Sequence, residues 1–195
     1  FYFKMKLAAL FSGGKDSTYA IYLAKKLGHT VDVLLTLYPY SDESHLFHYP
    51  NITFTQLQAE SMKIPQLIEK IISNNTENEF EKLNSLISRA KENFSVEGIV
   101  HGGILSEYQK DNFSLVCKKN QLEIVSPLWN KDSEFYMKEL LNENFEYIIS
   151  TVSSDGLNDS WLGQTIDETN LNELRKLQKK FGFNLNFEGG EAETF

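Results

Sequence analysis

Apolar residues recur along this chain in two rhythms, one short and nearly continuous, the other spaced three and four apart. Residues 7–11 and 31–37 are aliphatic, aromatic or β-branched almost without interruption, as strands buried on both faces of a parallel sheet must be. Shorter strands are expected at 64–68, where Pro65 stands near the start, and at 97–100, 122–125 and 147–152. Helical spacing fills the intervals. From Asp16 onward Tyr19, Ala20, Leu23, Ala24 and Leu27 share a face, and Gly28 follows where a left-handed C-terminal cap belongs. A short helix is expected at 55–62 and a longer one at 78–94, with Phe80, Leu83, Ile87, Ala90 and Phe94 inward. Another follows the glycines at 102 and 103. Two more are expected at 131–144 and 168–181, the last with Leu171, Leu174, Leu177 and Phe181 inward.

Alternation of strand and helix with right-handed crossovers makes an α/β fold, an open parallel sheet with helices on both faces. The alternation breaks where Ser126-Pro127-Leu128-Trp129 opens a loop. Residues 1–125 are therefore expected to form one domain and 126–195 a smaller α+β domain. Phe1 to Lys4, ahead of Met5, read as a foreign leader, and the strand-like Glu193-Thr194-Phe195 is expected to continue into a stretch that is cut or disordered.

Composition narrows the class. With 41% hydrophobic and 13% aromatic residues, 14 Phe and 9 Tyr among them, the 195-residue chain has material for a sizeable core, which excludes a disordered polar chain. No apolar run approaches the roughly 18 residues of a membrane span. A net charge of −8 argues against free nucleic acid as a partner. One cysteine, Cys117, forms neither an intrachain disulfide nor a metal site alone, and no signal-peptide pattern opens the chain, so the cytoplasm is the expected compartment.

The chemistry concentrates where the first strand runs into its helix. Ser12-Gly13-Gly14-Lys15-Asp16-Ser17 sets two glycines at the bend, so backbone amides approach an anion with no Cβ in the way and the helix points its positive end there. Lys15 adds a point charge, Ser12 and Ser17 hydroxyl donors. The common NTPase loop would need glycine at position 9 and Ser or Thr at 16, where Ala9 and Asp16 stand, so this is a different phosphate loop. A plain Gly-Gly turn is the bland alternative. Asp16 is assigned to Mg²⁺, directly or through water, with a helix cap as its alternative. Ligands in open parallel sheets bind beyond the carboxyl ends of strands. Leu37 and the segment after it should therefore border the nucleotide, and Gly102 and Gly103, ending another strand, should face its adenosine half. Residues 38–51, rich in aromatics and histidine, read as a lid loop; His45 and His48 lack the partners of a metal site.

SGGKDS resembles the pyrophosphate loop of the N-type ATP pyrophosphatases. Further segments narrow the resemblance: Phe47-His48-Tyr49-Pro50-Asn51, Gly103-Ile104-Leu105-Ser106-Glu107-Tyr108-Gln109, Pro127-Leu128-Trp129, Gly156-Leu157, Trp161-Leu162-Gly163 and Glu188-Gly189-Gly190-Glu191. In this order, over nearly the whole chain, they resemble the diphthine-ammonia ligase family. The resemblance implies an adenine nucleotide alpha hydrolase-like (HUP, Rossmann-like) fold. It also implies conversion of diphthine on translation elongation factor 2 to diphthamide with ATP and ammonium, through an acyl adenylate. ATP and Mg²⁺ are the implied cofactors, the modified elongation factor the protein substrate, and free ammonium the nitrogen source. A homodimer is left open. Lys15, Asp16 and Ser17 become catalytic candidates, and Ser12, Gly13, Gly14, Leu37, Gly102 and Gly103 join them around the nucleotide. His48, Tyr108, Gln109, Trp129, Trp161, Glu188 and Glu191 become substrate candidates, since aromatic faces and carboxylates favour a trimethylammonium group. Core packing is the alternative for the two Trp residues, a solvated turn for the two Glu residues. Another adenylating enzyme of the same superfamily, tRNA-modifying or small-molecule amidating, and a non-catalytic ATP- or AMP-binding protein are the competing readings.

Overall fold

In a computed structural model the chain is described at residues 3–39, 52–73, 75–104 and 107–195, with side chains at 76 and 107–110 outside the description. Two compact units result, Phe1–Trp129 and Asn130–Phe195.

The first unit is built on β1 (Lys6–Leu10), β2 (Thr30–Tyr38), β3 (Gln66–Lys70), β4 (Gly98–Val100) and β5 (Glu123–Val125), in the order β3-β2-β1-β4-β5. Every neighbouring pair is parallel. The connections are α1 (Lys15–Lys26), α2 (Thr55–Met62), α3 (Thr76–Phe94) and α4 (Glu107–Lys119). Side chains alternate across a strand. Ala8, Leu10, Val33, Leu35 and Leu37 thus form one core cluster with Leu83, Leu86 and Ile87 of α3 and Phe113, Val116 and Cys117 of α4. Leu7, Ala9 and Leu34 belong to the opposite face, and they are fully buried too, as are Tyr19, Ala20 and Ala24 of α1. Both faces of the sheet are covered, which explains why its strands are apolar throughout. Because β1 leads to β2 on one side and β4 lies on its other side, the topological switch falls between β1 and β4.

Element ends differ from the sequence expectations for local reasons. The strand expected at 64–68 starts at Gln66, because Pro65 has no N–H for the ladder; its carbonyl still accepts from Leu34 N at 2.8 Å. The helix expected from residue 78 starts earlier, capped by Asn75, whose side chain accepts from Glu77 N. The turn after α1 takes Gly28 to φ +95°, as the cap expectation required, while Leu27 at the helix end is half-exposed rather than inward. The lid-loop expectation, with His45, falls in 40–51 and so lies outside the described residues, Tyr38 and Pro39 excepted.

In the second unit α5 (Ser133–Asn142) and α6 (Glu168–Phe181) accompany an antiparallel pair, β6 (Ile149–Val152) and β7 (Ala192–Thr194). The helix expected at 131–144 is shorter because Asp132 is its N-cap, accepting from Phe135 N at 2.8 Å, and Asn144 has turned left-handed at φ +57°. Asp167 caps α6 in the same way through Asn170 N, and Gly182 ends it. Phe181, expected inward, is partly exposed and lies across Gly156, where an added Cβ would come within 2.4 Å of its ring. Among the described residues no helix is long and apolar enough to cross a membrane.

Candidate functional site

The site is assembled at the carboxyl ends of β1 and β4, beside the switch point. Phe11 still donates to Leu35 O at 2.8 Å, and the chain then turns through Ser12, Gly13 and Gly14. Gly13 has φ +84°, a conformation that strains any residue bearing a Cβ. Gly14 is extended and is the N-cap of α1, without a side-chain cap. Asp16 therefore does not cap the helix; it sits inside the first turn. The carbonyl of Gly14 accepts from Thr18 N (3.1 Å), Thr18 Oγ1 (2.9 Å) and Ser17 Oγ (3.1 Å). Ser17 Oγ in turn accepts from Ser12 N at 3.3 Å and lies 3.0 Å from Ser12 Oγ, while Gly14 N reaches Ser12 Oγ at 3.4 Å. With the Ser17 proton on Gly14 O, the proton between the hydroxyls is that of Ser12. The two serines thus brace the loop as a closed ring.

Lys15 is buried to 2% side-chain exposure, its Nζ 2.9 Å from both carboxylate oxygens of Asp16, which is 30% exposed. Across the switch point, Gly102 lies directly on this turn. A Cβ there would stand 2.5 Å from Asp16 C, 2.6 Å from Asp16 O and 2.7 Å from Ser17 N, so backbone packs on backbone. Next to it His101, 2% exposed, accepts from Gly103 N at Nδ1 (3.0 Å). Its proton is therefore on Nε2, which donates to Ser126 Oγ at 2.6 Å and ties the end of β4 to the end of β5. From another side α2 brings Gln58, whose Nε2 donates to Gly13 O at 3.0 Å.

The structure thus brings Ser12, Gly13, Gly14, Lys15, Asp16 and Ser17 together with Gly102 and its neighbour Gly103. Leu37 sends its side chain into the core cluster, so it offers the strand end only main chain. His48 lies outside the described residues. Tyr108 and Gln109 fall in the first turn of α4, with side chains outside the description. Trp129 is half-buried at the end of the first unit, its N–H on Ser126 O at 3.1 Å. Trp161, 8% exposed, belongs to the core of the second unit. Glu188 is half-buried and its N–H donates to Asn186 Oδ1. The Glu191 carboxylate accepts from Asn184 N (2.9 Å), Asn184 Nδ2 (2.8 Å) and Gly189 N (2.8 Å), all within its own turn. Among the described residues no three His, Cys, Asp or Glu side chains gather as a metal cage.

Comparison with known families decides the lineage. A family model described as the diphthamide synthase N-terminal domain matches residues 5–124, and one described as the diphthamide synthase C-terminal domain matches residues 132–195. The chain belongs to the diphthamide synthase family. Relatives named diphthine–ammonia ligase agree. The Homo sapiens protein is 34% identical over 98% of this chain and 78% of its own length, the Rattus norvegicus protein 35% over the same shares. That of Schizosaccharomyces pombe is 35% identical over 97% of this chain and 34% of its own, much longer, sequence. A solved U34-tRNA thiolase from Methanococcus maripaludis aligns over 96% of this chain and 70% of its own at 14% identity and a TM-score of 0.43, too distant to bear on function.

Sequence reasoning passed over several residues that surround the loop: Gln58, Thr55, Thr36 and Gln66 on one side, His101 and Ser126 on the other. His101 had a local signal, an imidazole directly before the strand-end glycines. Gln58 had none, since it sits in an unremarkable short helix.

Proposed function

We infer that this chain is an ATP-dependent diphthine–ammonia ligase, which converts the carboxylate of diphthine to the amide of diphthamide. The observation that carries this reading is an anion loop at the switch point of a chain matched along both halves by the diphthamide synthase domains. The protein substrate is translation elongation factor 2 bearing diphthine, the nitrogen source is ammonium, and the compartment is the cytoplasm. Residues 1–125 are assigned to the nucleotide and 126–195 to the substrate.

A carboxylate does not accept ammonia at neutral pH until its oxygen becomes a leaving group. A carboxylate oxygen attacks the α-phosphorus of ATP, the bond from that phosphorus to the bridging oxygen breaks, and pyrophosphate leaves with the electron pair. The lone pair of ammonia then attacks the acyl carbon, AMP departs with the C–O electrons, and nitrogen loses a proton. Negative charge grows on pyrophosphate in the first step, so the fixed dipoles and cation of the Ser12–Ser17 loop stabilise that step most. In this assignment Lys15, shared with Asp16 in the free loop, turns its charge to the phosphates. Asp16 would hold Mg²⁺, directly or through water. The Asp16 carboxylate, 30% exposed at the loop, fits an ion that would draw its other ligands from phosphate and water, and the ion would supply neutralisation of the triphosphate charge. His48, Tyr108, Gln109, Trp129 and Glu188 are assigned to diphthine, with aromatic faces for its trimethylammonium group; Trp161, buried in the core of the second unit, is assigned to packing. Glu191 is assigned there as well, through the turn it organises next to Glu188.

The test is product release: AMP and pyrophosphate should form together only when diphthine-bearing elongation factor and ammonium are both supplied. Equal ATP cleavage without the modified factor would overturn the reading.

A further inference from the structure

Gln58 stands 45 residues from the loop it touches. Its Nε2 donates to Gly13 O, and its Oε1 and Cδ would lie 2.5 and 3.4 Å from a Cβ built on Gly13, so the amide stands with its oxygen against the glycine. A trans peptide points its carbonyl and the next N–H in opposite directions. Holding the Gly13 carbonyl toward α2 therefore aims the Gly14 N–H away from α2, where its contact among the described residues is Ser12 Oγ at 3.4 Å, a weak one that an anion can capture. With glycine on both sides this peptide has little steric resistance to flipping. A flip would replace the donor facing the phosphate by a carbonyl oxygen and turn attraction into repulsion.

The helix that carries Gln58 has a second polar link toward the loop. Thr55, one turn earlier on the same face and fully buried, donates to Ile52 O at 2.7 Å and accepts from Gln66 Nε2 at 2.9 Å. The same Gln66 nitrogen donates to Thr36 Oγ1 at 2.7 Å, and Thr36 donates to Phe11 O at 2.8 Å. The carbonyls on both sides of Ser12 are thus held from the same side, Phe11 O through Thr36 of β2 and Gly13 O through Gln58 of α2. We propose that Gln58 is a positioning residue, which sets the Gly13–Gly14 peptide with its N–H toward the leaving pyrophosphate. This rests on the nucleotide reading above.

The test uses the full chain and two probes, inorganic pyrophosphate and AMP, titrated separately by calorimetry, with melting temperature as a check on folding. Gln58→Met keeps the length and removes the donor; Gln58→Glu keeps the volume and polarity, replaces the donor by an acceptor, and remains readable should the Met variant fail to fold. Pyrophosphate should bind about tenfold more weakly to Gln58→Met and more weakly still to Gln58→Glu, with AMP affinity within about twofold of wild type. Unchanged pyrophosphate affinity in both variants overturns the inference while leaving the nucleotide site intact. Parallel loss of both probes with a lowered melting temperature also overturns it, because Gln58 would then merely support the fold. Failure of the wild-type chain to bind either probe would overturn the nucleotide reading itself.

Discussion

Gly13-Gly14 and Gly189-Gly190 are the same dipeptide, each followed by a charged residue, Lys15 or Glu191, and each with one glycine in the left-handed region, at φ +84° and φ +79°. Their polar groups are used in opposite ways. In the first unit the Gly13 carbonyl is drawn off by Gln58 and the N–H that follows makes, among the described residues, a long contact to Ser12. In the second, Glu191 takes the Gly189 N–H, Phe187 O takes the Gly190 N–H at 3.1 Å, and the Gly190 carbonyl accepts from Ser153 Oγ. The second turn satisfies its own groups and stitches the start of β7 to the loop before it. A Gly-Gly pair therefore identifies a tight bend; whether its amides serve a ligand depends on where the neighbouring carbonyls and carboxylates are sent.

The comparison breaks most sharply at Lys15. Lys15→Ala should lower kcat/KM for AMP formation by about 10²- to 10³-fold, because it removes the cation of the loop; the buried stem goes with it, so the melting temperature should fall as well and activity is read below the transition. Normal AMP formation would place the loop outside the mechanism. Gly102→Ala comes next: its Cβ meets the Asp16 and Ser17 backbone, so denaturant unfolding should show a loss of about 1–3 kcal/mol together with weaker ATP binding. At Gly190 a Cβ meets nothing within 4 Å, so Gly190→Ala should cost only the left-handed strain and leave ATP affinity alone. Glu191→Gln keeps the shape but turns an NH2 toward a donor, so the second unit should lose about 1–2 kcal/mol. Turnover of the modified elongation factor should fall in that variant while calorimetry finds ATP affinity unchanged; loss of ATP binding would move Glu191 to the nucleotide.

The smallest effect probes the core beneath the first loop. Cys117, 2% exposed among Val116, Phe113 and Leu86, has its thiol pushed up to about 12 by burial. A folded value above the unfolded one means a contribution that is complete below about pH 9 and lost as pH rises toward 12. Urea midpoints should therefore be insensitive to Cys117→Ser titration differences below pH 9 and diverge above it. The native thiol should also react slowly with disulfide reagents at pH 8, and fast reaction there would contradict the burial.

Much of the first unit was legible because its signals are local. A strand buried on both faces has to be apolar at every position, and a glycine after a helix takes the left-handed cap; residues 31–37 and Gly28 carry these requirements in the chain itself. The strand order, and with it the switch point, came only from the sheet pairing. The second unit was less legible: Trp161 has the composition of a ligand contact and the surroundings of a core residue, and Glu191 the composition of a cation partner and the hydrogen bonds of a turn brace.

By itself the sequence determined the βα order, the position of the Ser12–Ser17 loop at a strand end and the family, since each depends on residue types at short spacing or on motifs in sequence. Only the tertiary structure decided which way the Gly13–Gly14 peptide faces, that Gly102 must lack a side chain because Asp16 occupies its place, and that Glu191 folds back on its own turn. Each of those outcomes is a hydrogen bond or a close contact made by packing. The energy of a polar group depends on which partner reaches it once water is excluded, and composition does not name that partner.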